Sequence, residues 1–348
     1  MVFSSVLFKY TKNNIFELSV ASEPSVVSKS MTNSKTFIKR PIFLVGAERS
    51  GTTVLRLMLD HHPQIAWCNE FEYAVDLLNQ KDGYPQLDKY YQWLETHRIF
   101  QATGFTIDQS LTYPELINSF LAQKRNYRDK PIVGATIHRH FDRVLQIWPD
   151  ACFIHIVRDG RDVARSCIGM GWAGNVWKGV ERWIEAEHLW SELSQKISAD
   201  RSISVVYEDL IANPAQVLEQ ISNFIGVEYN TKMLDYHHST TYDPPNPRLI
   251  GQWRHKMSEA EIQLVESRIA SMLTARGYEV SGLPLIKVNF TKQKLLELND
   301  WWKRVEFRIK KTGLPLFVSD YLSRHLGLHG WQKSIKLKLN AIDTAALK

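Results

Sequence analysis

Residues 41–62 read PIFLVGAERSGTTVLRLMLDHH, and the reading of this stretch decides the fold. Ile42, Phe43, Leu44 and Val45 form an unbroken apolar run, the pattern of a strand covered on both faces within a parallel sheet. A short polar turn follows, from Gly46 to Gly51. Beyond it Val54, Leu55, Met58 and Leu59 recur at helical spacing, so the unit is strand, glycine-containing loop, helix. Such a unit predicts an anion cradle. The N–H groups at the helix start, the positive end of the helix dipole and the side chains of Arg49, Ser50, Thr52 and Thr53 all bear on one hollow. Gly46 and Gly51 have the separation of the pattern G-x-x-x-x-G-K-[ST], but Thr52 stands in the lysine's place. A loop without that lysine is poorly equipped to hold β- and γ-phosphates, which argues against a nucleotide kinase or hydrolase and favours an anionic group on a shorter nucleotide.

A second unit repeats this design. Ala151 to Val157 is strongly apolar and exits into Arg158-Asp-Gly-Arg161-Asp162, after which Val163, Ala164, Ser166, Cys167 and Ile168 open a helix. Arg158 at the strand end and Ser166 two turns along are placed to approach one another. A guanidinium fork beside a hydroxyl suits a phosphate dianion, although the segment alone reads equally well as a surface ion-pair cluster.

Together the two segments resemble the sulfotransferases that use 3′-phosphoadenylyl sulfate (PAPS). A-E-R-S-G-T-T is similar to their 5′-phosphosulfate loop, and V-R-D-G-R-D-V-x-x-S to their 3′-phosphate segment, in the right order and each at a strand exit. The resemblance runs from about Pro41 to Tyr278 and is closest to the bacterial and tyrosylprotein-type branch. It implies an α/β fold, a three-layer αβα sandwich with a central parallel sheet and a P-loop-like nucleotide-binding core, and transfer of a sulfuryl group from PAPS to an acceptor hydroxyl or amine without a metal. Carried over by position, it implies cofactor contacts from Arg49, Ser50, Gly51, Thr52 and Thr53 on the 5′ side and from Arg158 and Ser166 on the 3′ side. Tyr207 of the Y-E-D-L segment is implied near the nucleotide. Arg254 of the G-x-W-R segment reads either as a further contact or as a helix cap. Counting from Arg49 without a gap places the general base at Glu70, with Glu72 two residues on and free for local capping, and Arg49 as the stabiliser of the sulfuryl oxygens. Many relatives carry a lysine before the VRD strand. Here that stretch is Gly134-Ala-Thr-Ile-His138-Arg-His140, so His138, Arg139 or His140 is the expected substitute.

Composition bounds the remainder. The 348 residues carry a net charge of +6 and 11 tryptophans, enough for one large α/β core with appendages. Three scattered cysteines, Cys68, Cys152 and Cys167, suggest neither a disulfide framework nor a zinc site, and point to a reducing, cytoplasmic setting. From Ser281 to the end there are 13 Lys and Arg against 5 Asp and Glu. The basic charge therefore belongs to the tail and not to the cradle, which argues against a nucleic-acid partner.

The expected organisation is a flexible extension over residues 1–35, a catalytic domain over 36–280 and a basic amphipathic extension over 281–348. Residues Tyr73 to Arg128 read as mostly helical and unusually aromatic, either core or an acceptor pocket. Ser239 to Arg248 is polar and Pro-rich, a candidate lid. In the tail Leu295, Leu298, Trp302, Val305 and Ile309 follow i, i+3 and i+4 steps among lysines. That stripe predicts a helix that docks on the body or touches an anionic membrane surface. The acceptor is not written in the residues: a carbohydrate, lipid headgroup, small metabolite or peptide tyrosine each fits, and a non-catalytic nucleotide- or lipid-binding module is the competing class.

Overall fold

The computed structural model describes residues 37–79 and 83–345, so the expected N-terminal extension lies outside the described residues. Strands β1 (Ile42–Val45), β2 (Ile65–Glu70), β3 (Ile132–Ile137), β4 (Cys152–Val157) and β5 (Ser202–Val206) form one sheet in the order β2-β3-β1-β4-β5. Every pairing is parallel. The continuous apolar run of β1 is explained by what covers it. Phe43 and Val45 join the core on one face, with α2 (Tyr113–Arg128) and the far half of α4 (Glu181–Ser194). Ile42 and Leu44 join the core on the other face, with α1 (Thr52–His61) and α5 (Pro214–Ile225). With helices on both sides, the three-layer αβα reading holds.

This strand order sets the place of the site. The chain leaves β1 toward β2 on one side and leaves β4 toward β5 on the other, so connections diverge between two adjacent strands. A crevice opens there at the carboxyl ends, the usual ligand position in open parallel sheets. The exit of β1 and that of β4, which leads into α3 (Gly160–Gly169), face each other across it.

Two segments depart from regular helix for identifiable reasons. After β3 the chain does not enter a helix directly. His138 instead gives its backbone N–H to the Glu72 carboxylate, His140 is left-handed (φ 55°), and only Phe141–Gln146 coils, as a 3₁₀ turn. The helical run from Val176 is interrupted after Gly179, whose Cα lies so close to the Ala164 carbonyl of α3 that a Cβ would overlap it. As for the aromatic region, Tyr73, Tyr90, Phe100, Tyr113 and Phe120 are buried in the core, so these rings hold the fold rather than line a pocket.

Beyond α6 (Glu259–Ala275) the tail folds into α7 (Phe290–Thr312), α8 (Leu314–His325) and α9 (His329–Ala345). α7 docks on the loop after α3: Asp300 accepts from the Gly174 N–H at 2.7 Å, and Asn175 donates to the Leu296 carbonyl at 2.8 Å. α9 is tied to the body by a Lys333–Glu95 ion pair and by Asn340, which donates to the Thr96 carbonyl at 3.0 Å.

Candidate active site

At the crevice the two strand exits enclose a cavity of about 520 Å³, lined by Arg49, Gly51, Thr52, Thr53, Arg158 and Ser166 among others. Two glycines make the close approach possible. A Cβ on Gly46 would overlap the Ile156 carbonyl of β4, and one on Gly51 (φ 92°) would overlap the Tyr207 ring. Gly51 caps α1 without a side-chain hydrogen bond, and Gly51, Thr52, Thr53 and Val54 all face the cavity. The open N–H groups of the first helical turn are thus available to an anion. Arg49 adopts φ 73°, a left-handed conformation that a non-glycine residue rarely takes and that clusters at functional sites.

The cations are held in place before any ligand arrives. Arg158 donates to the Arg49 carbonyl at 3.1 Å and to the Leu249 carbonyl at 3.0 Å, contacts Asp162 at 3.3 Å and lies 4.3 Å over the Tyr207 ring. Its Nε is buried without a partner. Arg49 Nε donates to Ser166 Oγ at 2.9 Å. The expected meeting of Arg158 with Ser166 is therefore made through Arg49, which touches both. Burial pushes the Asp162 carboxyl up, against the opposing pull of Arg158 and the Trp253 N–H. The second arginine of the segment serves the scaffold instead. Arg161 is buried, paired with Asp159 at 2.7 Å and with Glu266 of α6 at 2.6 Å.

Two expected contacts fall elsewhere. Ser50 is fully buried behind the loop, its Oγ unpartnered, and does not line the cavity. Arg254 is exposed, with its guanidinium 4.4 Å over the Trp253 ring; on the same turn Gln252 and Lys256 line the cavity instead. Arg165, Tyr242 and Leu249 also line it, and the last two come from or border the irregular Ser239 to Arg248 segment. Four cations, Arg49, Arg158, Arg165 and Lys256, thus face one carboxylate, Asp162. With open helix N–H groups and an orphaned Arg158 Nε, the chemistry fits a nucleotide bearing more than one anionic group, and the volume lies within the small-molecule range of about 300–1,000 Å³.

The exits of β2 and β3 meet beside this cradle. A register shift between Cys68 and Glu70 sets Glu70 opposite Thr136, and Glu72 then begins a 3₁₀ turn, so a simple two-residue alternation does not relate the two carboxylates. Glu70 is partly exposed. Glu72 is only 3% exposed and His138 only 7%. The Glu72 Oε1 accepts from the His138 N–H at 3.0 Å and from its Nδ1 at 2.6 Å, while His138 Nε2 lies 3.0 Å from Thr52 Oγ1. Burial disfavours both charges, but the hydrogen bond and attraction between the two outweigh it: His138 is raised above its ordinary value and Glu72 is lowered. Both shifts favour the charged forms of this buried pair, and His138 touches the helix start through Thr52. Of the three candidates for the missing lysine, His138 alone contacts the cradle. Arg139 is locked to Asp76 by two hydrogen bonds of 2.8 and 2.7 Å. His138, with Arg139, His140, Trp172 and Arg182, also lines a second cavity of about 890 Å³, whose far wall includes Asp300 and Arg304 of α7. The Thr52–His138 contact joins the two cavities, since Thr52 lines one and His138 the other. Nothing in the residue pattern announces Glu72 as the partner of His138, because the contact spans 66 positions.

Comparison with known proteins decides the family. The sulfotransferase family pattern matches residues 41–231, more than half of the chain. The chain belongs to the sulfotransferase family. It is 27% identical over 274 residues to the protein-tyrosine sulfotransferase of Drosophila melanogaster, covering 71% of this chain and 52% of that one. It is 23% identical over 276 residues to protein-tyrosine sulfotransferase A of Caenorhabditis elegans, covering 70% and 68%. The chain thus spans about half the length of the fly relative. Among solved structures, the sulfotransferase domain from the curacin biosynthetic pathway superposes with a TM-score of 0.52 at 16% identity, covering 70% of this chain and 100% of that one, which shows the shared fold.

Proposed function

We propose that this sulfotransferase-family chain moves a sulfuryl group from PAPS to an acceptor hydroxyl or amine, using residues 36–280 as the catalytic body. The observation that carries the reading is the junction at Thr52: a multicationic cradle on one side and the Glu72-paired His138 on the other. When bound, PAPS would supply the activated sulfuryl group: as the acceptor's bond to sulfur forms, the S–O bond to the 5′-phosphate breaks and adenosine 3′,5′-bisphosphate is the leaving group. Arg158 and Ser166 hold a 3′-phosphate, the former by charge-assisted hydrogen bonds from its fork. The open N–H groups of α1 and the Thr52 and Thr53 hydroxyls hold the 5′ side, and Arg49 faces the sulfuryl oxygens. Tyr207 supports the Arg158 guanidinium with its ring face. His138, fixed by Glu72, puts a proton donor and positive charge where a bridging oxygen gains electron density, the role of the lysine in many relatives. Glu70 takes the acceptor's proton, because it is the carboxylate at these exits not already committed to an ion pair in the core.

The acceptor approaches at the β2 and β3 exits, where Glu70 stands, beside the second cavity, whose imidazole, guanidinium and indole groups suit a polar partner and whose lining includes His138 but not Glu70. The relatives named as protein-tyrosine sulfotransferases support including peptide tyrosine with sugars, lipid headgroups and small metabolites as candidates. Incubation with ³⁵S-labelled PAPS and such a panel tests the reading. Label transferred to one class, and lost in Glu70→Gln, supports it; bisphosphate binding without transfer to any acceptor leaves a binding module instead.

A further inference from the structure

The tail presents a surface that the transfer reading does not use. Leu296, Asp300, Lys303 and Phe307 of α7 stand at i, i+4, i+7 and i+11, and this face meets the body: Gly174 lies against Asp300 and Lys303, and Gly171 against the Phe307 ring. The apolar stripe read from the sequence points the other way, with Leu295 62%, Leu298 61% and Trp302 61% exposed, and Trp301 beside it 52% exposed. The docking alternative is therefore met by the opposite, more polar face; Leu295, Leu298 and Trp302 of the stripe are left to water, while Val305 and Ile309 are half-buried. On α8 the spacing repeats, with Leu314, Val318, Tyr321 and Leu322 all exposed. No helix of the described residues is long and apolar enough to cross a membrane.

We propose that the outer face of α7 rests on the surface of an anionic lipid bilayer. Charge complementarity selects this occupant. The helix carries seven Lys and Arg against three acidic residues, and Lys292, Lys294, Arg308 and Lys310 flank the stripe on its two sides at helical spacing. Glu297 and Glu306 pair with Lys294, Lys303 and Lys310, while Arg304 pairs with Asp300, Arg308 with Asp320 and Lys311 with Asp343, so much of this charge is offset locally and the net excess belongs to the extension as a whole, 13 Lys and Arg against 5 Asp and Glu. A second copy of the chain docked stripe to stripe would set two net-positive extensions against one another, whereas anionic headgroups neutralise that excess. Paired indoles at the boundary of an apolar stripe and a basic flank have the make-up of an interfacial helix, with lysine stems lying along the apolar surface and ammonium groups in the headgroups.

The test uses the full chain in vesicle co-sedimentation, with vesicles of phosphatidylcholine alone and of phosphatidylcholine with phosphatidylserine. The chain is expected to sediment with the anionic vesicles only, and less as salt is raised. A Trp301→Ala/Trp302→Ala variant, altered only at exposed side chains, is expected to keep its melting temperature and to bind at least about tenfold more weakly. Three results overturn the proposal: no binding to anionic vesicles at low salt, equal binding by the double variant, or a concentration-dependent dimer in sedimentation velocity that the double variant abolishes. The last would assign the stripe to a second copy of the chain.

Discussion

Four strand exits stand at one end of the same sheet, yet the pair after β1 and β4 is built differently from the pair after β2 and β3. The first pair exposes its cations to a cavity and fixes them by backbone carbonyls and an aromatic ring. The second pair buries its charge, with Glu72 and His138 almost wholly out of water and only Nε2 reaching the cradle. Binding an anionic nucleotide needs accessible charge in a fixed frame. Proton chemistry needs a group whose protonation is controlled by its surroundings. The division predicts that substitutions on one side change affinity and those on the other change turnover.

The largest effect is expected at Glu70. Glu70→Gln is predicted to lower turnover by about 10²–10⁴ while leaving affinity for adenosine 3′,5′-bisphosphate unchanged. A parallel loss of affinity would erase the division. Next comes Glu72→Gln, which removes the charged partner of buried His138 and is predicted to lower stability by about 3–5 kcal/mol in denaturant melts, with turnover falling through His138. The pH dependence follows from the directions of the two shifts. Glu72 is lowered, so its contribution is full above its ordinary value of 4.5 and is lost as pH falls through the depressed one. His138 is raised, so its contribution is full below its ordinary 6.5 and is lost as pH rises through the elevated one. The stability gap between the parent chain and Glu72→Gln is therefore predicted to be widest between pH 4.5 and 6.5 and to narrow on both sides. A gap independent of pH would show that the pair is not ionised.

Arg158→Ala belongs to the affinity side. It is predicted to weaken bisphosphate binding by about 2–4 kcal/mol, measured beside a thermal melt because the change also unpairs the buried Asp162 carboxylate. The smallest effect is expected at Gly51→Ala, where a Cβ meets the Tyr207 ring at a left-handed φ. A stability loss of about 1–3 kcal/mol in thermal melts is predicted. A neutral result would mean that the loop does not press on Tyr207.

The contrast also explains what is legible in the sequence. β1, the loop and α1 are contiguous, so their apolar run, glycines and change of period declare both the fold and the cradle within one short stretch, and the β4 exit repeats the signal. Arg158 and Ser166 are recognisable as a pair, but their link through Arg49 is not, because the Arg49–Ser166 contact crosses 117 positions. Glu72 reads as a local cap for the same reason: its partner lies beyond another strand. In the tail, the stripe of α7 is visible and its direction is not. Periodicity defines a face; only packing against Gly171 and Gly174 says which face turns inward. Arg254 shows the limit on the other side, since a segment can be placed at the cavity correctly while a helical turn delegates the contact to Gln252 and Lys256.

Everything on the affinity side depends on the cradle recognising a nucleotide by two separate anionic groups, one at the β1 exit and one at the β4 exit. Isothermal calorimetry of the full chain with adenosine 3′,5′-bisphosphate and with AMP measures this, because the ligands differ only in the group assigned to Arg158 and Ser166. The bisphosphate is predicted to bind about 30–1,000-fold more tightly, the equivalent of about 2–4 kcal/mol from the charge-assisted 3′ contacts. Equal affinities would contradict two-group recognition and return the β4 exit to the role of a surface ion-pair cluster.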